Sequence, residues 1–549
     1  MTSCRALFSL AAVIGLSGQA YAQSPVAPDV IYQNGKVVTV DGAFSIQQAF
    51  AIKGDRFVAV GTNAQVRALA GSNTRSIDLG GATVIPGLTD NHDHLWNAGK
   101  YLHRGVDRIG VTSFAEMQAR LRAAVANAKP GEAVYTTIGW TIQPAPTREQ
   151  LDEISAEAPI VVVTTRRGVG VLNSAALRRL GISKENPVFM GAKVPVDQTG
   201  EPLGTPPRYP EGLYMIDALL PPLTAEQQDV MVSKEMQQRN ALGITSIRDL
   251  ALWPEAVAGL QRMHREGKLT LRIAVGIEFP DQAFTAGHLY QLPALNRDDP
   301  WLHMDSVGEE PWTPATMPLD NYTRLMGEMN RLGWRPAPHV SSDVARGVSA
   351  DDATDRTLDA YEAVDRSSAL KDKRWYVEHV PLATPQQIQR MARLGLMIST
   401  QSGGYYHLHG PMPPKERFEH VNPVRSFIEH GLTVIGGSDY NGPNAAGKNP
   451  NNPLIPFYFY VTRKSLEGEL IGPAEKISRE QALRIFTSNA AHATFQDKTK
   501  GRIAPGMLAD FVILNQDLMT VTDEKILDTR PLATFVGGNK VYSAPGSKF

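Results

Sequence analysis

The sequence predicts an α/β fold: a TIM (β/α)8 barrel with all-β meanders at both chain ends. Units of helix, glycine and strand recur through the middle of the chain, which is the pattern of a parallel sheet. Short β-branched runs separated by Asn-Gly, Asp-Gly and Lys-Gly turns occupy the ends and are typical of antiparallel hairpins. At 549 residues, a closed barrel is favoured over an open sheet.

The first segment, residues 1–22, has the three-part pattern of a secretory signal peptide. Arg5 precedes the apolar run from Ala6 to Leu16, and the small-x-small triplet Ala20 to Ala22 offers a cleavage site. The apolar run is too short to span a bilayer. We therefore expect a periplasmic or secreted protein with no membrane span after cleavage.

Composition excludes several classes of function. The single cysteine, Cys4, lies in the predicted leader, so we expect no disulfide, cysteine nucleophile or thiolate metal site in the mature protein. A net charge of -1 gives no electrostatic footprint for nucleic acid or an anionic membrane. The expected partner is a small-molecule substrate.

The chain is predicted to divide into two structural units beyond the leader. Residues 23–85 and residues 499–549 hold the hairpin-rich ends and are expected to form all-β parts. Residues 86–498 hold the alternating pattern and are expected to form the barrel.

Capping residues mark several helix starts in the alternating segment. Ser113, Thr224 and Ser478 are each followed three residues later by Glu or Gln, which is the pattern of a capping box. Pro385 stands where a helix would begin, a position that tolerates the missing N–H of proline. These signals predict helices at all four places.

Residue types that bind metals end several predicted strands. His92 and His94, in VIPGLTDNHDHLW, project to the same face because they are two residues apart in a strand. Later strands end at His339, His379 and Asp439. The strand ends of a parallel barrel meet at one face, so we expect these five side chains to converge. The set suits zinc or a similar divalent ion, whereas a polar strand end explains each residue only singly.

Neighbouring polar and aromatic residues have other expected roles. His407 and His409 form a second HxH after the strand LMISTQS, and a pocket-lining role is favoured over a ligand role. Trp96 is a candidate for the pocket wall, with plain packing as the alternative. Asp90 is expected to brace the turn, and Asp93 to face away from the two histidines.

These segments together resemble the amidohydrolase superfamily over nearly the whole mature chain. PGLTDNHDH is similar to its PGxxDxHxH signature, and KGRIAPGMLADFVIL resembles its closing segment. VLNSAALRRLGI and ALGITSIRDL resemble the long amidohydrolase-3 branch, which includes N-substituted formamide deformylases and exoenzyme-regulator-like proteins. The resemblance implies that residues 86–498 form a metal-dependent hydrolase barrel and that residues 23–85 and 499–549 together form a small β-sandwich. It also implies a homodimer as a common assembly.

The resemblance also implies a ligand set for one or two divalent metal ions, with Zn²⁺ as the expected ion. His92, His94 and Asp439 would hold the more buried ion. His339 and His379 would hold a second ion or, in a site with one metal, contact the substrate.

One part of the chain departs from the family pattern. Many members carry a metal-bridging carboxylated lysine at the end of strand four, but WLHMDSVGEEPW contains no lysine. VGEE resembles a GxGE motif of exoenzyme-regulator-like members, so Glu309 is the candidate bridging carboxylate. Glu310 and Asp305 are the alternatives. Arg166 and Arg167 lie where relatives have an Asp-Gly-His motif, so a different substrate recognition is expected.

The predicted function is that of an exported metal-dependent hydrolase that cleaves an amide or another non-peptide C–N bond. Asp439 would accept a proton from water and pass it to the leaving nitrogen. Hydrolysis of a lactone, ester or carbamate at the same site is an alternative. A non-catalytic exported regulatory or binding protein on a degenerate barrel is another, favoured by the missing lysine and opposed by the retained Asp439.

Overall fold

The computed structural model describes residues 27–102, 105–108, 110–137, 144–163, 170–207, 211–220, 222–278, 286–290, 292, 296–309, 317–341, 348–401, 413–440 and 451–549. The predicted signal peptide lies outside these ranges. All structural statements below concern the described residues.

The strands in chain order are β1 (Val30–Gln33), β2 (Lys36–Val38), β3 (Ile46–Gln47), β4 (Ala49–Lys53), β5 (Arg56–Gly61), β6 (Arg75–Asp78), β7 (Thr83–Pro86), β8 (Leu88–Asp93), β9 (Val134–Tyr135), β10 (Ile160–Val163), β11 (Gly170–Leu172), β12 (Val188–Phe189), β13 (Ala192–Lys193), β14 (Ile244–Leu252), β15 (Arg272–Ile277), β16 (Leu302–Val307), β17 (His339–Val340), β18 (Tyr376–His379), β19 (Met397–Thr400), β20 (Thr433–Gly436), β21 (Phe511–Leu514), β22 (Pro531–Val536) and β23 (Asn539–Ser543).

The α-helices in chain order are α1 (Asn63–Arg67), α2 (Leu95–Leu102), α3 (Phe114–Asn127), α4 (Arg148–Asp152), α5 (Ser174–Arg179), α6 (Glu211–Asp217), α7 (Ala225–Ala241), α8 (Pro254–Arg265), α9 (Ala286–Leu289), α10 (Leu319–Leu332), α11 (Ala350–Asp365), α12 (Pro385–Leu394), α13 (Val424–Glu429), α14 (Leu454–Thr462), α15 (Arg479–Ile485) and α16 (Ser488–Ala493). Short 3-10 helices span Lys415–His420, Pro473–Glu475 and Asp523–Asp528. Within the described ranges, none of these helices has the length and apolar character needed to cross a membrane.

The predicted helix starts are confirmed. Ser113, Thr224 and Ser478 each cap a helix with the reciprocal hydrogen bonds of a capping box, at the starts of α3, α7 and α15. Pro385 is the first residue of α12. Local sequence determines these positions because the bonds involve residues only three apart.

Eight parallel strands form two four-stranded sheets, ordered β16-β15-β14-β8 and β17-β18-β19-β20. Two isolated parallel bridges connect the edges of one sheet with the edges of the other. Val307 in β16 pairs with Pro336 ahead of β17, and Asp93 in β8 pairs with Tyr440 after β20. The predicted α/β class with parallel strands is therefore confirmed.

Neighbouring residues of the parallel strands belong to different apolar cores. Val377 and Val434 lie in the largest core, which the strands share with the surrounding helices. Tyr376 and Ile435, which precede and follow them in sequence, lie in a smaller separate core. Successive strand side chains point to opposite faces, so both faces of these sheets are buried.

The two ends of the chain build two further sheets, ordered β5-β4-β1-β6 and β23-β22-β21-β7-β2-β3. N-terminal β7 pairs antiparallel with C-terminal β21, so the second sheet combines both ends. Both sheets contribute to one aromatic core. In that core Tyr32 stacks on Phe50 with ring centroids 4.8 Å apart, and Phe511 stacks on Phe535 at 4.3 Å.

Between β8 and β14 the described part of residues 105–220 forms an inserted unit that the sequence does not predict. Its sheet has the order β11-β10-β9, with β10 parallel to β9 and antiparallel to β11. Val161 packs with Leu177 on one face, and Val162 packs with Leu121 on the other. The unit therefore has two apolar cores of its own, although β8 and β14 are paired neighbours in the parallel sheet.

Candidate metal centre

His92 and His94 lie at the carboxyl end of the buried strand β8. Their ring centroids are 5.2 Å apart, and Nε2 of both faces the carboxylates of Glu309 and Asp439. Gly437 allows the segment after β20 to approach this closely, because a Cβ there would lie 2.5 Å from the backbone nitrogen of His92. The two predicted ligands of the first strand thus point at carboxylates from two other strands.

Asp439 follows β20 with a left-handed backbone, at a φ of 53°. Its N–H donates to the carbonyl oxygen of His92 at 2.7 Å, which fixes the residue against β8. Oδ1 of Asp439 lies 3.1 Å from Nε2 of His94 and 3.7 Å from Nε2 of His92. His379 also has a left-handed backbone, at a φ of 69°. Such residues are uncommon and cluster at functional sites.

Glu309 follows β16 and lies between two groups of donor atoms. Its Oε2 is 3.2 Å from Nε2 of His92 and 3.4 Å from Nε2 of His94. Its Oε1 contacts Nε2 of His379 and Nδ1 of His339. Each oxygen of this carboxylate faces one group, which is the arrangement needed to bridge two ions.

The described residues contain two groups of metal-binding side chains. Within each group, the donor atoms lie within 4.8 Å of one another. One group is His92, His94, Glu309 and Asp439, and the other is Glu309, His339 and His379. His339 is partly exposed, and the other members are buried. The fold therefore brings together all six residues that the sequence predicts as ligands.

The two alternative candidates for the bridging carboxylate, Asp305 and Glu310, are not in either group of donor atoms found among the described residues. Asp305 lies earlier in β16 and is ion-paired with buried Arg335, outside both groups. Glu310 lies outside the described residues. Gly308 has a φ of 134°, and a Cβ there would clash with a backbone carbonyl, so the turn that presents Glu309 requires glycine.

The partners of the buried imidazoles determine which ring nitrogen is free. Nδ1 of His92 lies 2.8 Å from Oε2 of Glu378, and Nδ1 of His94 lies 3.1 Å from the carbonyl oxygen of Leu250. These oxygens only accept hydrogen bonds, so Nδ1 of each ring carries the proton. In the neutral ring Nε2 then carries the lone pair, and this is the tautomer that binds a metal.

The electrostatics of the cluster favour a cation. Burial alone would lower the pKa of His92, but Glu309 and Glu378 outweigh it and raise that pKa to about 9. The pKa of His94 is raised well above its usual value, since Asp439 and Glu309 outweigh the effect of burial. The same buried carboxylates can satisfy a divalent ion in place of protons. The donor set, imidazole nitrogens with carboxylate oxygens, fits zinc and similar ions.

Asp90 and Asp93 lie beside the ligands but have other partners. Oδ1 of Asp90 accepts hydrogen bonds from the backbone nitrogens of His92 at 3.1 Å and Ser438 at 2.9 Å, so it ties β8 to the end of β20. Asp93 is held by two hydrogen bonds from buried Arg239, at 2.8 and 2.6 Å. These positions agree with the bracing and outward-facing roles expected from the sequence.

Of the remaining candidates, one is part of the apolar core and the others lie outside the described residues. Trp96 is buried in the large apolar core between strands and helices. His407, His409, Arg166 and Arg167 lie outside the described residues.

Sequence reasoning missed the residues that hold the ligands in place. Glu378 contacts His92, Arg248 pairs with Glu378, and the amide oxygen of Gln401 lies 2.8 Å from Nδ1 of His379. A signal was present, because a charged residue in a strand buried on both faces needs a partner. The sequence does not say which partner.

The family model described as "Amidohydrolase family" matches residues 75–542, which is most of the chain. The chain belongs to the amidohydrolase family. This confirms the predicted superfamily and branch. As a member of that family, this protein is a hydrolase acting on C–N bonds, as the sequence predicts.

Individual relatives of this amidohydrolase agree with that membership. It is 26% identical to an N-substituted formamide deformylase from Arthrobacter pascens, over 94% of this chain and 99% of the relative. A metal-dependent hydrolase from Pyrococcus furiosus matches its fold with a TM-score of 0.68 at 20% identity, over 89% of this chain and 100% of that one. An atrazine chlorohydrolase from Arthrobacter aurescens TC1, solved with zinc, matches with a TM-score of 0.54 at 14% identity, over 94% and 95%.

Proposed function

We propose that this amidohydrolase is an exported enzyme with two divalent metal ions that hydrolyses the amide bond of a small non-peptide substrate. The observation that carries the proposal is the position of Glu309, whose two oxygens face separate groups of donor atoms. His92, His94 and Asp439 would hold one ion with Glu309, and the two remaining histidines of the cluster would hold the other. The zinc in the related chlorohydrolase supports Zn²⁺ as the ion.

A bound divalent ion would polarise the scissile carbonyl and lower the pKa of a water to about 7, which together contribute several kcal/mol. The residues of the chain then have separate tasks. Nε2 of His92 and Nε2 of His94 would bind the ion, because Nδ1 of each ring is engaged elsewhere.

Asp439 is the proposed proton carrier. Its left-handed backbone and its hydrogen bond to the carbonyl of His92 fix the carboxylate beside the histidines. As water adds to the carbonyl carbon, Asp439 would accept its proton, and it would return that proton to the nitrogen when the C–N bond breaks. The neutral amine then leaves and the carboxylate is restored for the next cycle.

The proposed architecture is the closed barrel and β-sandwich expected from the sequence. The order of the parallel strands supports a closed barrel, and so do the bridges from Val307 to Pro336 and from Asp93 to Tyr440. The aromatic core common to the two chain-end sheets supports a sandwich formed by residues 23–85 and 499–549.

N-substituted formamides are the first substrates to test, because a relative that matches nearly the full chain acts on them by name. Purified protein would be dialysed without chelator, analysed for metal by mass spectrometry, and assayed with Zn²⁺ for release of amine. The panel would add N-acyl amino acids, aryl amides and lactones. We expect two ions per chain and turnover of at least one amide.

The matched control is a double variant, His92→Ala with His94→Ala, which removes two of the four donors of one group and should abolish turnover. A wild-type protein that carries metal but releases no amine from the panel would contradict the proposed amide substrate. Hydrolysis confined to the lactones would reassign the bond that is cleaved.

A further inference from the structure

Glu378 connects the metal cluster to a buried arginine. Its Oε2 lies 2.8 Å from Nδ1 of His92, and its Oε1 accepts a hydrogen bond from Nη2 of Arg248. All three side chains are fully buried. A buried carboxylate is costly unless it is paired and hydrogen-bonded, and here each oxygen has a partner.

Arg248, in β14, makes two further contacts. Its Nε donates to the carbonyl oxygen of Asn91 at 2.9 Å, and its guanidinium lies 3.9 Å from the ring centroid of Tyr376. Asn91 precedes His92 in the chain. Arg248 therefore supports His92 through two hydrogen bonds. One goes to the backbone carbonyl before His92, and the other goes to the carboxylate of Glu378, which contacts the imidazole.

The partner of His92 differs in kind from those of the other buried ligands. His92 donates to a carboxylate, whereas Nδ1 of His94 faces the carbonyl oxygen of Leu250 and Nδ1 of His379 faces the amide oxygen of Gln401. A carboxylate partner makes an imidazole a stronger metal ligand than a neutral partner does. Pairing with Arg248 also keeps Glu378 engaged as an acceptor, so it does not compete for the ion.

We propose that Glu378 and Arg248 are positioning residues, which hold the His92 ring so that Nε2 faces the more buried metal ion. The inference rests on the proposed metal site. It assigns to this pair a tenfold to hundredfold contribution to metal affinity, the usual range for residues that support a metal ligand.

The test compares Zn²⁺ binding in three variants of the full-length protein by competition with a chromophoric chelator. Glu378→Gln and Arg248→Met each disrupt the pair and should raise the Kd for the tighter Zn²⁺ ion about 10- to 100-fold. Asp305→Asn is the matched control, because it disrupts another buried arginine pair, with Arg335, that does not touch a ligand. It should bind Zn²⁺ within about threefold of wild type.

Urea unfolding of the metal-free proteins separates a general loss of structure from loss of positioning. The Glu378→Gln and Asp305→Asn variants should both be less stable than wild type, but only the former should change the visible absorption spectrum of the Co²⁺-loaded protein. Wild-type affinity and spectrum in Glu378→Gln, or equal weakening in Asp305→Asn, would overturn the inference and leave the proposed function intact. A wild-type protein that binds no stoichiometric metal would overturn both.

Discussion

Arg272 and Asp510 form a buried, bidentate ion pair that joins the parallel sheet to the C-terminal strands of the chain. Nε and Nη2 of Arg272 in β15 donate to the two carboxylate oxygens of Asp510, at 2.6 and 2.8 Å. The backbone nitrogen of Gly537 donates to the same carboxylate at 2.8 Å. Burial would raise the pKa of Asp510, but Arg272 and these hydrogen bonds outweigh it and lower that pKa below its usual value.

Replacement of this carboxylate should destabilise the protein. In Asp510→Asn the Arg272 charge stays buried without its counter-ion, which costs about 3–5 kcal/mol for a buried pair. The free energy of the first urea unfolding transition measures this loss. Asp523→Asn, in the more exposed pair with Arg479, is the control and should cost under about 1 kcal/mol.

The effect of Asp510→Asn should also depend on pH. The pKa of Asp510 is lower in the folded state, so the unfolded state binds its proton first as pH falls. The stability that the pair adds is therefore fully present above the usual aspartate pKa and is lost in acid. The difference between wild type and variant should shrink below about pH 4. A difference that grows in acid would contradict this account.

Removal of buried Lys500 should stabilise the protein at neutral pH. Burial, aided by nearby Arg272 and opposed by Asp510, lowers the pKa of Lys500 to about 7. Between pH 7 and the usual lysine pKa, the unfolded state binds more protons than the folded state. The free energy of unfolding therefore decreases as pH falls through this range. Lys500→Met should raise the unfolding free energy by about 1–3 kcal/mol at pH 7, with a smaller gain towards pH 10.

Thermal unfolding across pH 6 to 10 would measure the gain, with Lys498→Met at the neighbouring exposed position as the control. Equal gains for the two variants, or a gain that increases with pH, would be inconsistent with a penalty for the buried charge.

Asp439→Asn should separate metal binding from proton transfer. The amide retains an oxygen beside His94 but cannot carry the proton to the leaving nitrogen, so kcat should fall at least about 100-fold. The circular dichroism spectrum should be unchanged, and much of the metal should be retained. Near-normal kcat at full metal loading would rule out Asp439 as the proton carrier.

Glu309→Gln should reduce the number of bound ions. The neutral amide is a weaker ligand than the carboxylate between the two groups. The number of bound ions measured after dialysis should therefore fall from two per chain towards one. His339→Asn should have the same effect on stoichiometry, because it removes a ligand from the second group alone. Retention of two ions in Glu309→Gln would show that this carboxylate does not bridge them.

The sequence was most informative where structure depends on near neighbours in the chain. Capping boxes at Ser113 and Ser478 involve residues three apart, and the histidine pair of β8 follows from strand alternation. Pairing of Arg248 with Glu378 joins residues 130 apart in sequence, and it depends on how β14 and β18 face each other. Hydrophobic pattern alone does not specify that relationship.

The inserted unit was missed for a different reason. Its strands are two to four residues long, as in β9 (Val134–Tyr135), so they show too few alternations to predict a separate sheet.

That unit also has a consequence for how this protein can change over evolution. All six proposed ligands come from outside residues 105–220, yet the unit follows the strand that carries His92 after only one helix, α2. Lengthening a connection adds only about 0.6 kcal/mol of closure entropy for each doubling. The unit can therefore vary in size and surface over evolution at little cost to the fold that holds the proposed ligands.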